Sequence, residues 1–241
     1  MSPTPRRARS FDHMTEHFDR FSELVGGGLD TYLASLLPES GGERAVDLGC
    51  GTGRHAALLA GRYRQVLAVD VSAPMLQLAK ARRGLPNVSY QQRDLCDVRA
   101  DTDGVFDLVL SAYALHHLHD LDEVLRGIRE LVAPGGRLVL IDNVASRPQV
   151  PRRWFIAEAV RILMGDVLRR RRRPREAWEL FRLNLDPGWL DHLTSDRFLN
   201  PQQFAERYGQ VFPGAGVTDL YRARAMCWAE TGLRVTGGRE G

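Results

Sequence analysis

The middle of the chain alternates short apolar runs, rich in β-branched residues, with stretches in which apolar residues recur every three or four positions. The runs predict strands, and the three-to-four spacing predicts helices. This alternation, between residues 43 and 144, is typical of parallel strands joined by crossover helices. We predict strands at 44–48, 65–71, 88–93, 106–111 and 137–143, and helices at 54–63, 74–83 and 121–132.

The segments on either side carry other patterns. An amphipathic helix is predicted before residue 26 from the apolar stripe Phe11, Met14, Phe18, Phe21 and Val25. Gly26-Gly27-Gly28 should break this helix, and a shorter apolar stretch ends at Pro38. After an insertion at 145–200 we predict a helix at 201–208. Strands at 215–224 and 226–231, with little or no turn between them, should follow.

Two helix boundaries in the middle segment can also be predicted. Asp120 and Glu123 stand three residues apart at the start of the third helix, where their side chains can satisfy free amides of the first turn. Pro134-Gly135-Gly136 should close that helix before the next strand.

The composition, with 44% hydrophobic and 26% charged residues among 241, is that of an ordinary globular protein. Such values exclude collagen-like, low-complexity and disulfide-scaffold proteins, and the length fits one core. No apolar run approaches the ~20 residues of a membrane span, and no signal-peptide pattern is visible, so we expect a cytoplasmic protein. Cys50, Cys96 and Cys227 are far apart and predict neither a disulfide framework nor a zinc site.

Glycines alternate with other residues directly after the first predicted strand, in Gly49-Cys50-Gly51-Thr52-Gly53. Such a loop lets a ligand approach the backbone and meet the free amides of the following helix. The dinucleotide motif Gly-x-Gly-x-x-Gly is not present, because Arg54 occupies its sixth position, and this argues against NAD or FAD. Asp70 ends the second strand, where a carboxylate can accept both hydroxyls of a ribose.

With these residues the chain resembles the class I S-adenosylmethionine-dependent methyltransferases. The resemblance covers about residues 43 to 144, in the segments Val46–Gly53, Val69-Asp70, Arg93-Asp94-Leu95, Phe106–Ser111, Ala114–Leu118 and Leu131–Leu138. It implies an α/β fold with a doubly wound, Rossmann-like sheet of seven mostly parallel strands, the last one antiparallel. The single domain would comprise an N-terminal helical cap (1–42), the cofactor-binding core (43–144), a helical substrate-cap insertion (145–200) and the last helix and strands (201–241).

The resemblance also implies a site for S-adenosylmethionine. The loop containing Gly49, Cys50, Gly51 and Gly53 would pass under its methionine part, and Asp47 would help to bind the ammonium group. The alternative for Asp47 is a buried carboxylate that only ties down loop amides. Asp70 would hold the ribose hydroxyls. Adenine would be contacted by Val71, Met75, Asp94 and the Leu95 amide. The methionine end would be bordered by the Ser111 backbone.

His116 and His117 follow the fourth strand, where a general base could reach the methyl acceptor. We predict this role for the pair, with His116 first, and packing or a structural hydrogen bond is the alternative. The other nearby histidines, His119 and the pair His13 and His17, fit no zinc or metalloprotease spacing. We therefore expect no metal.

The insertion should set the acceptor, which we expect to be a small, largely apolar molecule such as a secondary metabolite, quinone or lipid, methylated at oxygen or carbon. Its segment 152–175 carries nine Arg against Glu158 and Asp166, so the net charge of +3 arises there. In the capping interpretation, aromatic side chains roof the acceptor: Trp154, Phe155, Trp178, Phe181 and Trp189. Peripheral contact with an anionic membrane through 152–175, a homodimer contact and a solvated Arg run are the alternatives.

Other functions remain open. The chain could bind S-adenosylmethionine without methylating, as a scaffold or a cyclase. An RNA methyltransferase is expected less, because no Asn-Pro-Pro-Tyr string follows the fourth strand and no RNA-binding module is recognisable, so nucleic acid is an unlikely partner. A monomer and a homodimer both fit the sequence.

Overall fold

The computed structural model describes residues 12–118, 120–169 and 171–230. Within these ranges the strands are β1 (Gly42–Leu48), β2 (Tyr63–Asp70), β3 (Val88–Gln92), β4 (Phe106–Ala112), β5 (Val132–Asn143), β6 (Gly216–Leu220) and β7 (Ala223–Ala229). They form one sheet in the order β3-β2-β1-β4-β5-β7-β6, in which β7 is antiparallel to both of its neighbours and the other pairs are parallel. The predicted fold class is confirmed.

Helices flank the sheet and precede it. In the described ranges they are α1 (Thr15–Val25), α2 (Gly27–Leu36), α3 (Arg54–Ala60), α4 (Ala73–Arg83), α5 (Ala100–Asp103), α6 (Leu121–Glu130), α7 (Arg152–Arg169), α8 (Pro174–Asn184), α9 (Pro187–Ser195) and α10 (Pro201–Val211). None of these helices has the length and apolar character needed to cross a membrane.

The central strands are apolar throughout because helices cover both faces of the sheet. In β4, Leu108 and Leu110 belong to the core on one face, which includes Leu33 of α2. Val109 points to the opposite face and joins the core with Leu125 of α6 and Phe204 of α10. Burial on both sides explains why these strands have continuous apolar runs instead of an apolar and polar alternation.

Ion pairs hold the N-terminal helices against the helices of the core. Asp19 of α1 is fully buried and pairs with Arg82 and Arg83 at the end of α4, with 2.7 Å between Arg83 Nη1 and Asp19 Oδ1. Asp30 of α2 pairs with Arg54, the first residue of α3, at 2.6 Å. These contacts place α1 beside the glycine loop, which precedes α3.

The long helix α7 packs on the protein with a mixed side, on which Phe155 and Ala159 are buried together with two acidic residues. Glu158 and Asp166 are buried, and they pair with Arg161 and Arg172 at 2.7 Å each. The opposite face is apolar and 39 to 74% exposed at Ile156, Val160, Met164, Val167 and Leu168. The predicted helix is confirmed, and its stripe of acidic residues is the side that faces the protein.

The predicted break after the first helix is confirmed: α1 ends at Val25, and α2 begins at Gly27 and buries Leu33 against the sheet. Two boundary predictions near the core were wrong. The helix predicted at 121–132 ends at Glu130, since Val132 already pairs with Phe106 of β4. The Asp120 side chain makes no capping hydrogen bond.

The other boundary corrections concern strands. The segment Pro134-Gly135-Gly136 lies within an irregular start of β5, where the register with β4 shifts, and not in a turn that closes α6. The predicted short connection between the last two strands is confirmed, but it lies at Tyr221 and Arg222, the latter with φ of 61°, and not at residue 225. The predicted Phe11 and the end of the last predicted strand, residue 231, lie outside the described residues.

Candidate active site

A cavity opens at the carboxyl ends of β1, β2 and β4, the edge at which doubly wound sheets bind ligands. Eight of the predicted site residues line it: Gly49, Gly51, Asp70, Val71, Met75, Asp94, Leu95 and His117. The others lie outside its lining: Asp47, Cys50, Gly53, Ser111 and His116. Eight of the thirteen predicted residues therefore lie around one cavity, where they form half of its lining.

The glycine loop folds back over the end of β2. The amides of Gly49 and Cys50 both donate to the Val69 carbonyl at 2.9 Å. Gly51 has a φ of 52°, a left-handed conformation that favours glycine, and its amide donates to Asp70 Oδ2 at 2.8 Å. These hydrogen bonds fix the position of the glycine loop relative to the Asp70 carboxylate.

Asp70 is held from both sides by backbone amides. Its Oδ1 accepts from the Ser72 amide at 2.9 Å, and its Oδ2 accepts from Gly51. Burial raises the pKa of this carboxyl, and the backbone hydrogen bonds oppose that shift. Because each carboxylate oxygen has two lone pairs, Asp70 can still accept from a diol in the cavity.

Asp47 is a buried carboxylate beneath the loop. Its side chain lies near the Ala56 amide, yet neither oxygen makes a hydrogen bond of normal geometry among the described residues. Burial, reinforced by the neighbouring Asp70 carboxylate, raises its pKa to about 7. A carboxyl group in this position is suited to a cationic ligand, because a nearby positive charge would restore its ionised form.

Three predicted residues have structural roles instead of lining the cavity. Gly53 precedes α3 with a φ of 78°, and a Cβ at this position would lie 2.5 Å from Tyr90 Oη. Burial raises the pKa of the Cys50 thiol, which makes it inert. The Ser111 hydroxyl donates to the Leu48 carbonyl at 2.9 Å and joins β4 to β1.

The cavity also has walls that sequence reasoning missed. Phe18 of α1 lines it, and so do Ala112, Tyr113 and Ala114 at the end of β4. Tyr113 has a φ of 59°, a strained conformation for a side chain of its size. Phe18 was visible in the apolar stripe of the first helix, but nothing in the sequence indicated which of its members faces the cavity.

The two adjacent histidines point to different places. His117 lines the cavity, whereas His116 Nδ1 is 2.5 Å from Asp142 Oδ1 at the end of β5. Burial lowers the pKa of His116, but the carboxylates of Asp142 and Asp196 outweigh it and raise the pKa to about 10. A histidine that keeps its proton is a poor general base, so His117 is the better placed of the two.

A buried carboxylate from the insertion completes this cluster. Asp196 follows α9, and its oxygens are 3.5 Å from His117 Nδ1, 3.7 Å from His116 Nε2 and 3.4 Å from His192 Nε2. Asp142 could have been suspected, because it ends a strand at the right edge of the sheet. Asp196 and His192 could not, since nothing in the sequence links them to residues about 80 positions earlier.

The cluster borders a second cavity between the sheet edge, α6 and α10. His116, His117 and Leu118 line it together with Asp142, Asn143, Arg197 and Arg207, and the rest of its wall is apolar: Leu115, Leu121, Phe198, Leu199 and Phe204. His117 and Leu118 line both cavities, so the two meet at this turn.

The predicted aromatic roof is wrong, because none of its five side chains lines either cavity. Phe155 and Trp189 are buried, and Trp189 packs on Phe21 of α1 with ring centres 4.9 Å apart. Trp154 and Trp178 are 41 and 55% exposed. The guanidinium of Arg222 lies over the Trp154 ring, and Trp178 packs on Phe181 with ring centres 5.4 Å apart.

The family described as a methyltransferase domain matches residues 46–140. Trans-aconitate 2-methyltransferase of Deinococcus radiodurans is 42% identical over 110 residues, which cover 45% of this chain and 41% of that protein. Demethylmenaquinone methyltransferase of Clavibacter sepedonicus is 33% identical over 150 residues, 58% of each chain. The solved DhpI–SAH complex has a TM-score of 0.62 at 22% identity, over 92% of this chain and 95% of that one.

The chain carries, at residues 46–140, a segment that matches the methyltransferase-domain family, in agreement with the predicted resemblance to class I S-adenosylmethionine-dependent methyltransferases. It spans about half the length of the curated relatives that it matches. The likeness to DhpI supports the fold of the methyltransferase domain, including the helices outside the matched segment.

The residues of the first cavity fit the methyl donor of such a domain, S-adenosylmethionine. Beneath the glycine loop that lines this cavity, the carboxyl of Asp47 makes no hydrogen bond among the described residues, which suits the positive charge of the donor's ammonium group. Asp70 retains acceptor capacity for ribose hydroxyls. Val71, Met75 and Leu95 supply apolar surface for a planar base. The methyltransferase domain thus brings together the chemical groups that the donor requires.

Proposed function

We propose that this chain transfers the methyl group of S-adenosylmethionine to oxygen or carbon of a small, largely apolar acceptor. The donor supplies an electrophilic methyl carbon on a sulfonium, so the protein has to align the acceptor with it and exclude water. The observation that supports the proposal is the meeting of the two cavities at His117. A donor in the first cavity and an acceptor in the second would approach each other there.

The second cavity favours an acceptor that is apolar over most of its surface and carries an anionic or acidic oxygen. Half of its wall is leucine and phenylalanine, and Arg197 and Arg207 add positive charge beside Asp142. Two relatives are named for acceptors that each have one of these features: demethylmenaquinone is largely apolar, and trans-aconitate is anionic. We therefore propose a quinol, a phenol or an acidic secondary metabolite as the acceptor class.

The histidine pair is proposed to act on the acceptor. His117 borders both cavities, and His116 supports the turn through Asp142. His117→Ala is expected to lower kcat by about 100-fold, the usual contribution of a group that assists deprotonation. The binding of S-adenosylmethionine should change little, since the donor depends chiefly on Asp47 and Asp70.

Calorimetric titration with S-adenosylmethionine and S-adenosylhomocysteine tests the proposal. We expect micromolar binding by the natural protein and a loss of at least 100-fold in Asp70→Ala. Asp107→Ala is the matched control, because Asp107 binds the amides of Glu43 and Arg44 at the other end of the sheet. Acceptor panels of quinols, phenols and acids then report release of S-adenosylhomocysteine. Donor binding without release of S-adenosylhomocysteine from any acceptor class would favour a non-catalytic scaffold. Breakdown of the donor without a methylated product would favour a cyclase.

We also propose that the exposed apolar face of α7 contacts an anionic membrane. Arginines flank this face at Arg153, Arg169, Arg171, Arg173 and Arg175, all exposed and in no ion pair among the described residues. Apolar side chains that enter the headgroup region and cations that meet anionic lipids act together in such contacts.

Vesicle sedimentation tests the membrane contact. Binding to vesicles with anionic lipid, absent with purely zwitterionic vesicles and lost at high salt, is expected. Val160→Asp with Met164→Asp should abolish it, whereas Val217→Asp, at a comparably exposed position on β6, should not. A concentration-dependent dimer that this pair of substitutions dissociates, without vesicle binding, would identify a second copy as the partner instead. The cytoplasmic location stays a prediction.

A further inference from the structure

The cluster at the junction of the cavities brings three metal-binding side chains together from distant parts of the chain. His116 and His117 lie in the turn after β4, and Asp196 follows α9. Each offers one donor atom, and the three donor atoms lie within 4.8 Å of one another. All three side chains are at most 10% exposed.

The distances in this cluster suit ligands around a shared ion better than hydrogen bonds. The separations of Asp196 oxygens from His116 Nε2 and His117 Nδ1 are 3.7 and 3.5 Å, and hydrogen bonds of this kind measure about 2.7–3.2 Å. Two ligands at about 2.0–2.1 Å from a tetrahedral ion are about 3.3 Å apart. His192 Nε2 is 3.4 Å from the same carboxylate and lies beside the three-ligand group without belonging to it.

A supporting shell is also present. His116 Nδ1 contacts Asp142, which turns Nε2 toward Asp196, and the Asn143 amide donates to the same Asp142 oxygen at 2.9 Å. A carboxylate on the far nitrogen of a ligating histidine is the usual device that fixes the ring and increases its basicity.

We propose that His116, His117 and Asp196 bind a divalent transition-metal ion at the junction of the two cavities. Two imidazoles and a carboxylate suit zinc, iron, cobalt or nickel, whereas magnesium and calcium favour sites made of oxygen alone. Binding would displace the proton on His116 Nε2 into solvent. Three protein ligands leave a position for an oxygen of the acceptor, so His117 would assist its deprotonation through the ion and not as a free base. The inference rests on the proposed function only in this last step, where it selects acceptors with a hydroxyl or other anionic oxygen.

The sequence alone led to the opposite expectation, because it compared only histidines close to one another along the chain. Asp196 lies 79 residues beyond His117. The insertion must fold over the sheet edge before the third ligand is in place.

Metal binding can be measured without any acceptor. The purified protein is stripped with a chelator and titrated with zinc and with cobalt, whose visible spectrum reports ligand number. We expect one ion per chain and at least a 100-fold loss of affinity in His116→Gln and in Asp196→Asn. His55→Gln is the matched control, since His55 is also a histidine of low exposure near a carboxylate, 4.0 Å from Asp30, but lies in α3 away from the cluster. Equal binding by the natural protein and both cluster variants would overturn the proposal.

A second measurement uses only the natural protein, so misfolding of a variant cannot affect its result. X-ray absorption of the zinc-loaded natural protein should show at least two imidazole ligands, and fewer would refute the site. Donor titrations keep this result separate from the proposed function. If metal-free protein binds the donor and transfers methyl, the proposed function stands without any role for the metal. If the metal binds but no acceptor is methylated, the metal site stands and the proposed function fails.

Discussion

The core at 43–144 and the outer face of α7 in the insertion differ in whether their apolar residues are covered. In the core, Leu110 is buried between helices and sheet, and polar groups gather at the strand ends. In α7 of the insertion, Glu158 and Asp166 face the protein while Met164 and Leu168 face outward. An apolar stripe in the sequence therefore indicates a helix face that is stabilised by removal from water. Only the fold shows whether another part of this chain packs on that face.

The sharpest test of this comparison sets a core leucine against an outward-facing methionine. Leu110→Ala should lower the free energy of unfolding by about 4 kcal/mol, because Leu110 is 1% exposed. Met164→Ala should change it by less than about 0.5 kcal/mol, since Met164 is 50% exposed. Urea unfolding measures both. A large loss with Met164→Ala would mean that the α7 face is covered in solution.

The buried ion pair of the insertion should come next in size. Arg172 donates to both oxygens of Asp166 at 2.7 Å, so Arg172→Ala leaves a buried carboxylate without its partner. We expect a loss of about 3 kcal/mol in the free energy of unfolding. Arg171→Ala, at an exposed neighbour, is the control. Replacing Arg172 and Asp166 together by leucine should recover most of the loss, and failure to do so would contradict this account.

Substitution of the buried Asp47 in the core should raise the free energy of unfolding, unlike the loss expected for Arg172→Ala. Its folded pKa of about 7 lies above its ordinary value of 3.8, so the folded state binds more protons and its ionisation destabilises the fold as pH rises from about 4 to 7. Asp47→Asn should therefore raise the free energy of unfolding by about 2 kcal/mol at neutral pH, and by little below pH 4.

The same substitution should weaken the binding of S-adenosylmethionine, because the countercharge for its ammonium is lost. Thermal unfolding across the pH range, with and without donor, measures both effects. A stabilisation that does not vary between pH 4 and pH 7 would contradict the role of the buried charge.

Helix capping should give the smallest difference. The Asn200 side chain accepts from the Gln203 amide at 2.8 Å at the start of α10, so Asn200→Ala should cost about 1 kcal/mol. Asp120, which begins α6 without such a bond, should tolerate Asp120→Ala within about 0.5 kcal/mol. Equal losses in thermal unfolding would mean that Asp120 forms its predicted cap in solution.

Local chemistry made most of the core predictable. The alternation of strand and helix patterns predicted the parallel strands, because each strand of a covered sheet must be apolar by itself. The glycines from Gly49 to Gly53 and the carboxylate of Asp70 lie within about 20 residues, and their backbone contacts are local to the β1 and β2 ends. The resemblance to methyltransferases rested on these same residues.

The sequence by itself determined the sheet, the glycine loop and the donor side of the candidate site, because these depend on the periodicity and order of neighbouring residues. The tertiary structure alone decided that His117 faces the cavity while His116 turns to Asp142, that Asp196 joins them, and that α7 exposes its apolar face. These features depend on how the insertion packs over the sheet edge. Contacts between segments about 80 residues apart leave no periodic pattern in the chain.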